Sequence, residues 1–124
     1  MSNALAGSLL RRGQIVLVDL DPVAGSEQNK TRPAVIVSNN MANEQAARGG
    51  RGVVTVVPLT SSTARVWPFQ VLLPGTVTGL QHDSKAQAEQ VRSLSVQRIV
   101  RPVGWVDAEL MAAVDEALRV HLAL

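Results

Sequence analysis

The sequence predicts a mainly β fold with helices: a small, partly open β-barrel carrying one amphipathic helix at its C-terminal end. Three observations point there. Short β-branched runs, Ile15 to Val18 and Val53 to Val57 among them, are separated by Pro and Gly turn signals. One segment alone repeats apolar residues at helical spacing over several turns: Leu110, Val114, Leu118 and Leu122, with Met111 and Ala117 beside them. The chain has 124 residues, one domain's worth, with no internal repeat and no linker. Strands followed by a single helix suit a barrel better than a layered α/β fold.

Taken in order, residues 1–11 read as a flexible N-terminal tail, native or left over from expression. Gln14 to Leu20 reads as a strand buried on both faces, stopped by Asp21-Pro22. Val23 to Thr31 is a polar loop. Pro33 has no N–H to give a ladder, so a second strand is expected to start there and run to Val37. Asn39-Asn40 caps a short helix over Met41 to Ala47, broken by Arg48 to Gly52. Val53 to Val57 is the clearest strand, and Pro58 is expected to end it, leaving Leu59 to Thr63 as a turn. Phe69 to Leu73 is strand-like and Pro74-Gly75 turns the chain. A polar strand is expected over Ala86 to Arg92, with Gln87, Glu89 and Val91 on one face and Gln90 and Arg92 on the other. Ser95 to Ile99 forms a helical turn, and Val103 to Val106 a strand anchored by Trp105 in the core. Asp107 is the N-cap of the final helix.

Composition removes several classes of function. With 46% hydrophobic residues the chain can bury a core, so disorder is excluded. No apolar run approaches the ~20 residues of a membrane span, and no secretory leader is evident. There is no cysteine, hence no disulfide, no thiolate metal site and no cysteine nucleophile. His82 and His121 are too far apart for a local zinc signature, and there is no nucleophile elbow. The net charge is +2, unevenly spread. Residues 107–124 hold four acids and one base, while residues 1–106 hold 11 bases and six acids. A basic body suits a polyanion, although ordinary surface variation also fits that balance.

Four clusters could carry chemistry. Gly25 to Pro33 packs Ser26, Glu27, Gln28, Lys30 and Arg32 between two strands; Pro33 fixes the backbone behind Arg32, whose planar fork fits phosphate. The same loop also reads as a solvated hairpin connection. Thr60, Ser61 and Ser62 follow a buried strand, where hydroxyls either donate to an anion or cap a turn. Asp83 to Arg92 either lines a groove or forms a polar edge. Arg48 to Gly52 reads as a helix-exit loop. His82 is an isolated imidazole in a polar turn, and Trp67 before Pro68 is placed to stack a base. Three aromatics and no Tyr do not make an extended stacking platform.

Together these motifs resemble the MazF/PemK family of toxin endoribonucleases, or mRNA interferases, of type II toxin–antitoxin systems. The resemblance covers about Arg12 to Leu124, a single MazF-like toxin domain over residues 12–124. It rests on Arg12-Gly13-Gln14-Ile15, Asp19-Leu20-Asp21-Pro22, Gly25-Ser26-Glu27-Gln28 and Lys30-Thr31-Arg32-Pro33. Pro58-Leu59-Thr60-Ser61, Asp83-Ser84, Glu89-Gln90-Val91-Arg92 and Val114 to Leu118 complete it in the family's order. The segment Lys85 to Ala88 departs from the pattern, being more polar than in many relatives.

The resemblance implies an SH3-like barrel, a homodimer, a cytoplasmic protein without membrane contact, and cleavage of single-stranded RNA with no cofactor or metal. It implies inhibition by a MazE-like, acidic, partly disordered antitoxin. It also implies catalytic roles for Arg32 and Thr60, with Glu89 in some members, and RNA contacts from Ser26, Glu27, Gln28, Lys30, Ser61, Gln90 and Arg92. Such a reaction attacks phosphorus with the substrate's own 2′-hydroxyl, so neither a metal nor a covalent intermediate is required. Arg32 would stabilise the phosphorane and Thr60 would donate to a non-bridging oxygen. Glu89 and Arg32 both stand as proton carriers. A non-catalytic gyrase-binding toxin like CcdB, or an SH3-like RNA-binding module, would share the fold.

Overall fold

The computed structural model describes residues 10–20 and 31–124. Seven strands, all antiparallel to their partners, form one sheet. They are β1 (Gln14–Asp19), β2 (Thr31–Ile36), β3 (Val53–Thr60), β4 (Gln70–Leu73), β5 (Ser84–Gln87), β6 (Arg92–Ser95) and β7 (Ile99–Trp105). Three helices accompany them: α1 (Asn40–Gly49), the single turn α2 (Gly75–Thr78) and α3 (Ala108–Leu122). The sheet order is β4-β5-β3-β2-β1-β7, with β6 paired to the first half of β3. A 3₁₀ turn at Val96–Arg98 links β6 to β7, and no ladder joins those two strands, so the barrel stays open there. The expected mainly β, SH3-like and partly open architecture with a C-terminal helix is thus present.

Alternation of β-branched residues gives the sheet two apolar faces. Val16, Val18, Ala34, Ile36, Val54 and Val56 pack on one side with Leu10, Ala46, Leu94 and Ile99. Ile15, Val35, Val57 and Leu59 pack on the other with Leu73, Ala86, Met111 and Val114. Each fully buried Val, Ile or Leu side chain among them stabilises the fold by roughly 1.5–3 kcal/mol. Leu10, within the stretch expected to be a tail, is 1% exposed and packs with the first apolar cluster.

Both long helices are capped as their sequences predict. Asn39 accepts from the Ala42 N–H at 2.8 Å and Asp107 from the Leu110 N–H at 2.9 Å. The buried stripe of α3 is centred on Met111, Val114 and Ala117; Leu110 and Leu118 flank it, and Leu122 is exposed. The stripe crosses the expected row at Val114 and runs through the two residues expected beside it, where the helix packs across β4 and the 3₁₀ turn at Ala88–Gln90.

Four other expectations are corrected. Pro33 lies within β2, opposite Leu17, rather than starting the strand. It is tolerated because the β2–β3 ladder stops at the Ala34–Pro58 pair and does not reach it. Pro58 does not end β3: on one flank β6 pairs with Val53 to Val56 and β5 with Leu59 and Thr60, and Pro58 sits in the gap between them. The polar strand over Ala86 to Arg92 is interrupted by the 3₁₀ turn at Ala88–Gln90, so its expected two-sided alternation fails. Trp105, expected in the core, is 51% exposed; a strand-end position opposite Gln14 leaves its ring outside the packed faces.

Candidate active site

Strand register builds the site. In the β2–β3 ladder Ala34 faces Pro58, Val35 faces Val57 and Ile36 faces Val56. Continued by two residues, that register sets Thr60 opposite Arg32 on the same side of the sheet. The ladder stops short of that pair, at Ala34 and Pro58, while the opposite edge of β3 pairs with β5 at Leu59 and Thr60. The two strands therefore part where Arg32 and Thr60 stand, and a cleft of about 710 Å³ opens between them.

Thr31, Arg32 and Pro33 form one wall of the cleft, and Leu59, Thr60 and Ser61 another. Gly79 to His82 and Ser84 close a third side, with Leu17, Arg101 and Val103 completing the lining. Among the described residues the lining contains two guanidinium groups, one imidazole, several hydroxyls and no carboxylate. Such a surface holds an anion: planar forks meet paired phosphate oxygens, and hydroxyls add short donors. Thr60 Oγ1 accepts from the Ser62 N–H at 3.2 Å, capping the turn while leaving its own proton free to donate.

The third wall is held by local hydrogen bonds. Asp83 accepts from the Gly75 N–H at 2.9 Å, and Thr78 Oγ1 donates to the Pro74 carbonyl at 3.0 Å. Gly104 of β7 lies against the Thr78 carbonyl so closely that a Cβ there would collide with it. This contact seats α2, and with it the Gly79 to His82 segment, over the sheet.

Of the sequence-predicted residues, Arg32, Thr60 and Ser61 come together in this cleft. Glu89 does not line it; its carboxylate accepts from Gln70 Nε2 at 2.8 Å, and its second oxygen is buried without a partner among the described residues. Gln90 and Arg92 also lie outside the lining, Arg92 on β6 opposite Val56. Ser26, Glu27, Gln28 and Lys30 lie outside the described residues. Sequence reasoning missed Arg101 and left His82 as an isolated turn residue. Arg101 belongs to the Ile99 to Val103 stretch, whose β-branched content marks β7 as longer than expected. Among the described residues no three His, Cys, Asp or Glu side chains gather where they could hold a metal ion, and no helix is long and apolar enough to cross a membrane.

Comparison with known proteins is consistent across sequence and structure. The family profile of PemK-like, MazF-like toxins of type II toxin–antitoxin systems matches residues 11–122. Endoribonuclease MazF9 of Mycobacterium tuberculosis is 60% identical over 116 residues, covering 94% of this chain and 98% of its own length. Endoribonuclease EndoA of Bacillus subtilis is 32% identical over 116 residues, covering 94% and 97%. Among solved structures, a mycobacterial endoribonuclease in complex with its cognate antitoxin superposes with a TM-score of 0.73 at 28% identity, covering 93% of this chain and 96% of that one. MazF from Deinococcus radiodurans gives 0.71 at 28% identity, covering 94% and 98%.

Proposed function

The chain belongs to the PemK-like, MazF-like toxins of type II toxin–antitoxin systems, and we propose on that premise how its cleft cuts RNA. It is an endoribonuclease of such a system. The observation that carries the mechanism is the parting of β2 and β3, which leaves Arg32 and Thr60 facing one cation-rich cleft.

The scissile phosphate of a single-stranded RNA sits between those two residues. Its neighbouring 2′-hydroxyl attacks phosphorus, the bond to the 5′-oxygen breaks, and the products are a 2′,3′-cyclic phosphate and a 5′-hydroxyl. Arg32 offers a fixed positive fork to the equatorial oxygens as charge builds on the phosphorane. Thr60 donates its free proton to one of them. Arg101 lies across the same cleft and adds a second cation for a flanking phosphate. His82, the imidazole of the lining, takes the 2′-hydroxyl proton and returns a proton to the departing 5′-oxygen, while Arg32 stays charged throughout. Glu89, bound to Gln70, acts on the site through the loop it supports.

The working unit is a cytoplasmic homodimer cutting at a preferred sequence in mRNA, silenced by an acidic, partly disordered antitoxin laid along the cleft. A solved relative is held in complex with its cognate antitoxin. The basic body of residues 1–106 supplies the complementary charge for either polyanion.

The test is cleavage of a single-stranded RNA in EDTA, compared with the same strand carrying one 2′-deoxy sugar 5′ to the cut. The reading expects cleavage of the first and none of the second, with both strands still bound. Cutting of the deoxy-substituted strand overturns internal attack by the 2′-oxygen. Sedimentation equilibrium at micromolar concentration tests the dimer, and a monomer there removes it.

A further inference from the structure

We propose that the stack of Arg65, Trp67 and Phe69 is a nucleobase-binding site, one that holds a base of the RNA outside the step being cut. The proposal rests on the endoribonuclease reading and adds to it a second point of contact with substrate.

The stack stands on the loop that leaves the cleft. Ser61 lines the cleft, and the chain runs from there through Trp67 into β4. The rings of Trp67 and Phe69 are parallel within 2°, with centroids 6.2 Å apart. Phe69 is half-buried and anchors the pair, whereas Trp67 is 45% exposed. The Arg65 guanidinium lies 4.5 Å from the Trp67 ring centroid. Among the described residues that guanidinium has no ion pair.

The backbone beneath is pinned at both ends. Lys85 Nζ donates to the Arg65 carbonyl at 2.6 Å, and Lys85 is itself the ladder partner of the cleft residue Thr60. The Trp67 N–H donates to Gln70 Oε1 at 3.1 Å, the Gln70 N–H returns to the Trp67 carbonyl at 2.9 Å, and Gln70 Nε2 is held by Glu89. Phe69 supports one side of the indole, and nearly half of the Trp67 surface remains open to solvent. A fixed aromatic face covered by a guanidinium with no ion pair among the described residues suits a ligand with a flat π surface and a negative charge next to it. A nucleotide has both.

In the bound state the base takes the indole face and Arg65 swings from the ring to the adjoining phosphate. Stacking of a base on an aromatic ring is stronger than an exposed cation–π contact, so the exchange is favourable. An acidic peptide would answer the guanidinium but brings no flat base to the indole face, and a titration with each separates the two.

The chain has two tryptophans, so Trp105→Phe leaves Trp67 as the sole reporter of its own environment. The probe is a ten-nucleotide RNA containing the motif the enzyme cuts, made uncleavable by one 2′-deoxy sugar. Titration is expected to quench Trp67 emission. Replacing one base outside the cleaved step by an abasic nucleotide is expected to weaken binding about tenfold and abolish the quench. Trp67→Ala should raise KM about tenfold with little change in kcat, should lose the abasic effect, and should melt like the parent; Trp67→Phe should restore part of the affinity. A saturating titration with no quench, or an abasic penalty that persists in Trp67→Ala, overturns the proposal. Quenching by an acidic antitoxin peptide but not by RNA also overturns it. Failure of the parent to cut any RNA would instead remove the endoribonuclease reading, whereas an active enzyme indifferent to Trp67→Ala removes the stacking site alone.

Discussion

Arg12, just before β1, and Asp115, in the middle of α3, form a two-bond guanidinium–carboxylate pair across 103 residues of sequence. The third arm of the same guanidinium, Nε, donates to the Val37 carbonyl at 2.8 Å. One side chain thus ties the start of β1, the end of β2 and the terminal helix together. The pair is about a third exposed, with side chains 32% and 30% accessible, so solvent screens part of its strength. Arg12→Ala should cost about 1–2 kcal/mol of stability, and Asp115→Asn a similar amount. Denaturant midpoints of both single variants and the double variant check this. If the double variant loses the full sum of the single losses, the two side chains are not coupled.

Arg32→Ala should reduce cleavage at least a hundredfold, since it removes the charge-stabilising donor from the transition state. The side chain is exposed and outside both apolar clusters, so the thermal midpoint should stay within a degree or two of the parent. Thr60→Val, which keeps the shape and removes the donor, should lose activity, and Thr60→Ser should retain much of it. A folded Arg32→Ala protein that cuts at the parental rate would defeat the assignment.

Glu89→Gln distinguishes a proton carrier from a support. Glu89 accepts from Gln70 and is absent from the cleft lining. As a support, the amide of the variant keeps an oxygen that accepts from Gln70, so KM and kcat should both stay within a few-fold of the parent. As the essential base, the same change would lower kcat by about a hundredfold or more with KM steady. His82→Gln provides the companion measurement, with loss in kcat expected if the imidazole moves the proton.

Local signals carried most of the fold. Asn39 and Asp107 announced their helices through side-chain oxygens that the first turn needs. The β-branched runs of β1 and β3 showed which residues would be buried on two faces. What stayed hidden depends on pairing. Pro33 and Pro58 sit inside strands because the neighbouring ladders stop or change partner there, which no local preference reveals. The early end of the β2–β3 ladder leaves the cleft open, so Arg32 and Thr60 could be named from resemblance while Arg101 and the nearness of His82 could not. The turn at Ala88–Gln90 took Glu89 out of the strand alternation that its sequence suggested.

Asn43 is a buried polar residue that the sequence did not single out. It is 0% exposed on α1, donates to the Ser38 carbonyl at 2.9 Å and accepts from Ser38 Oγ at 2.5 Å. Ser38 Oγ in turn accepts from the Thr55 N–H at 3.0 Å, linking the helix to β3. Asn43→Ala strands the Ser38 groups inside the fold and should cost about 2 kcal/mol. Asn43→Leu should cost as much, because volume cannot replace the lost partners. Equal stability of the parent and either variant, by denaturant midpoint, would show that water satisfies those groups.

Gly104→Ala joins stability to the cleft. A Cβ at Gly104 would collide with the Thr78 carbonyl, a backbone atom that cannot rotate away. Relief requires α2 to lift from β7, and α2 leads directly into Gly79, Leu80, Gln81 and His82 of the cleft lining. Overpacking of this kind costs roughly 1–3 kcal/mol, so the thermal midpoint should fall by several degrees. Cleavage should fall as well, even well below the new midpoint, because the displaced wall changes the room left for RNA. Gly49→Ala is the matching control: nothing lies within 4 Å of a Cβ there, at the last residue of α1. It should be neutral or slightly stabilising through helix propensity. A Gly104→Ala protein that melts early but cuts RNA at the parental rate at low temperature would mean that α2 repacks without moving the Gly79 to His82 wall.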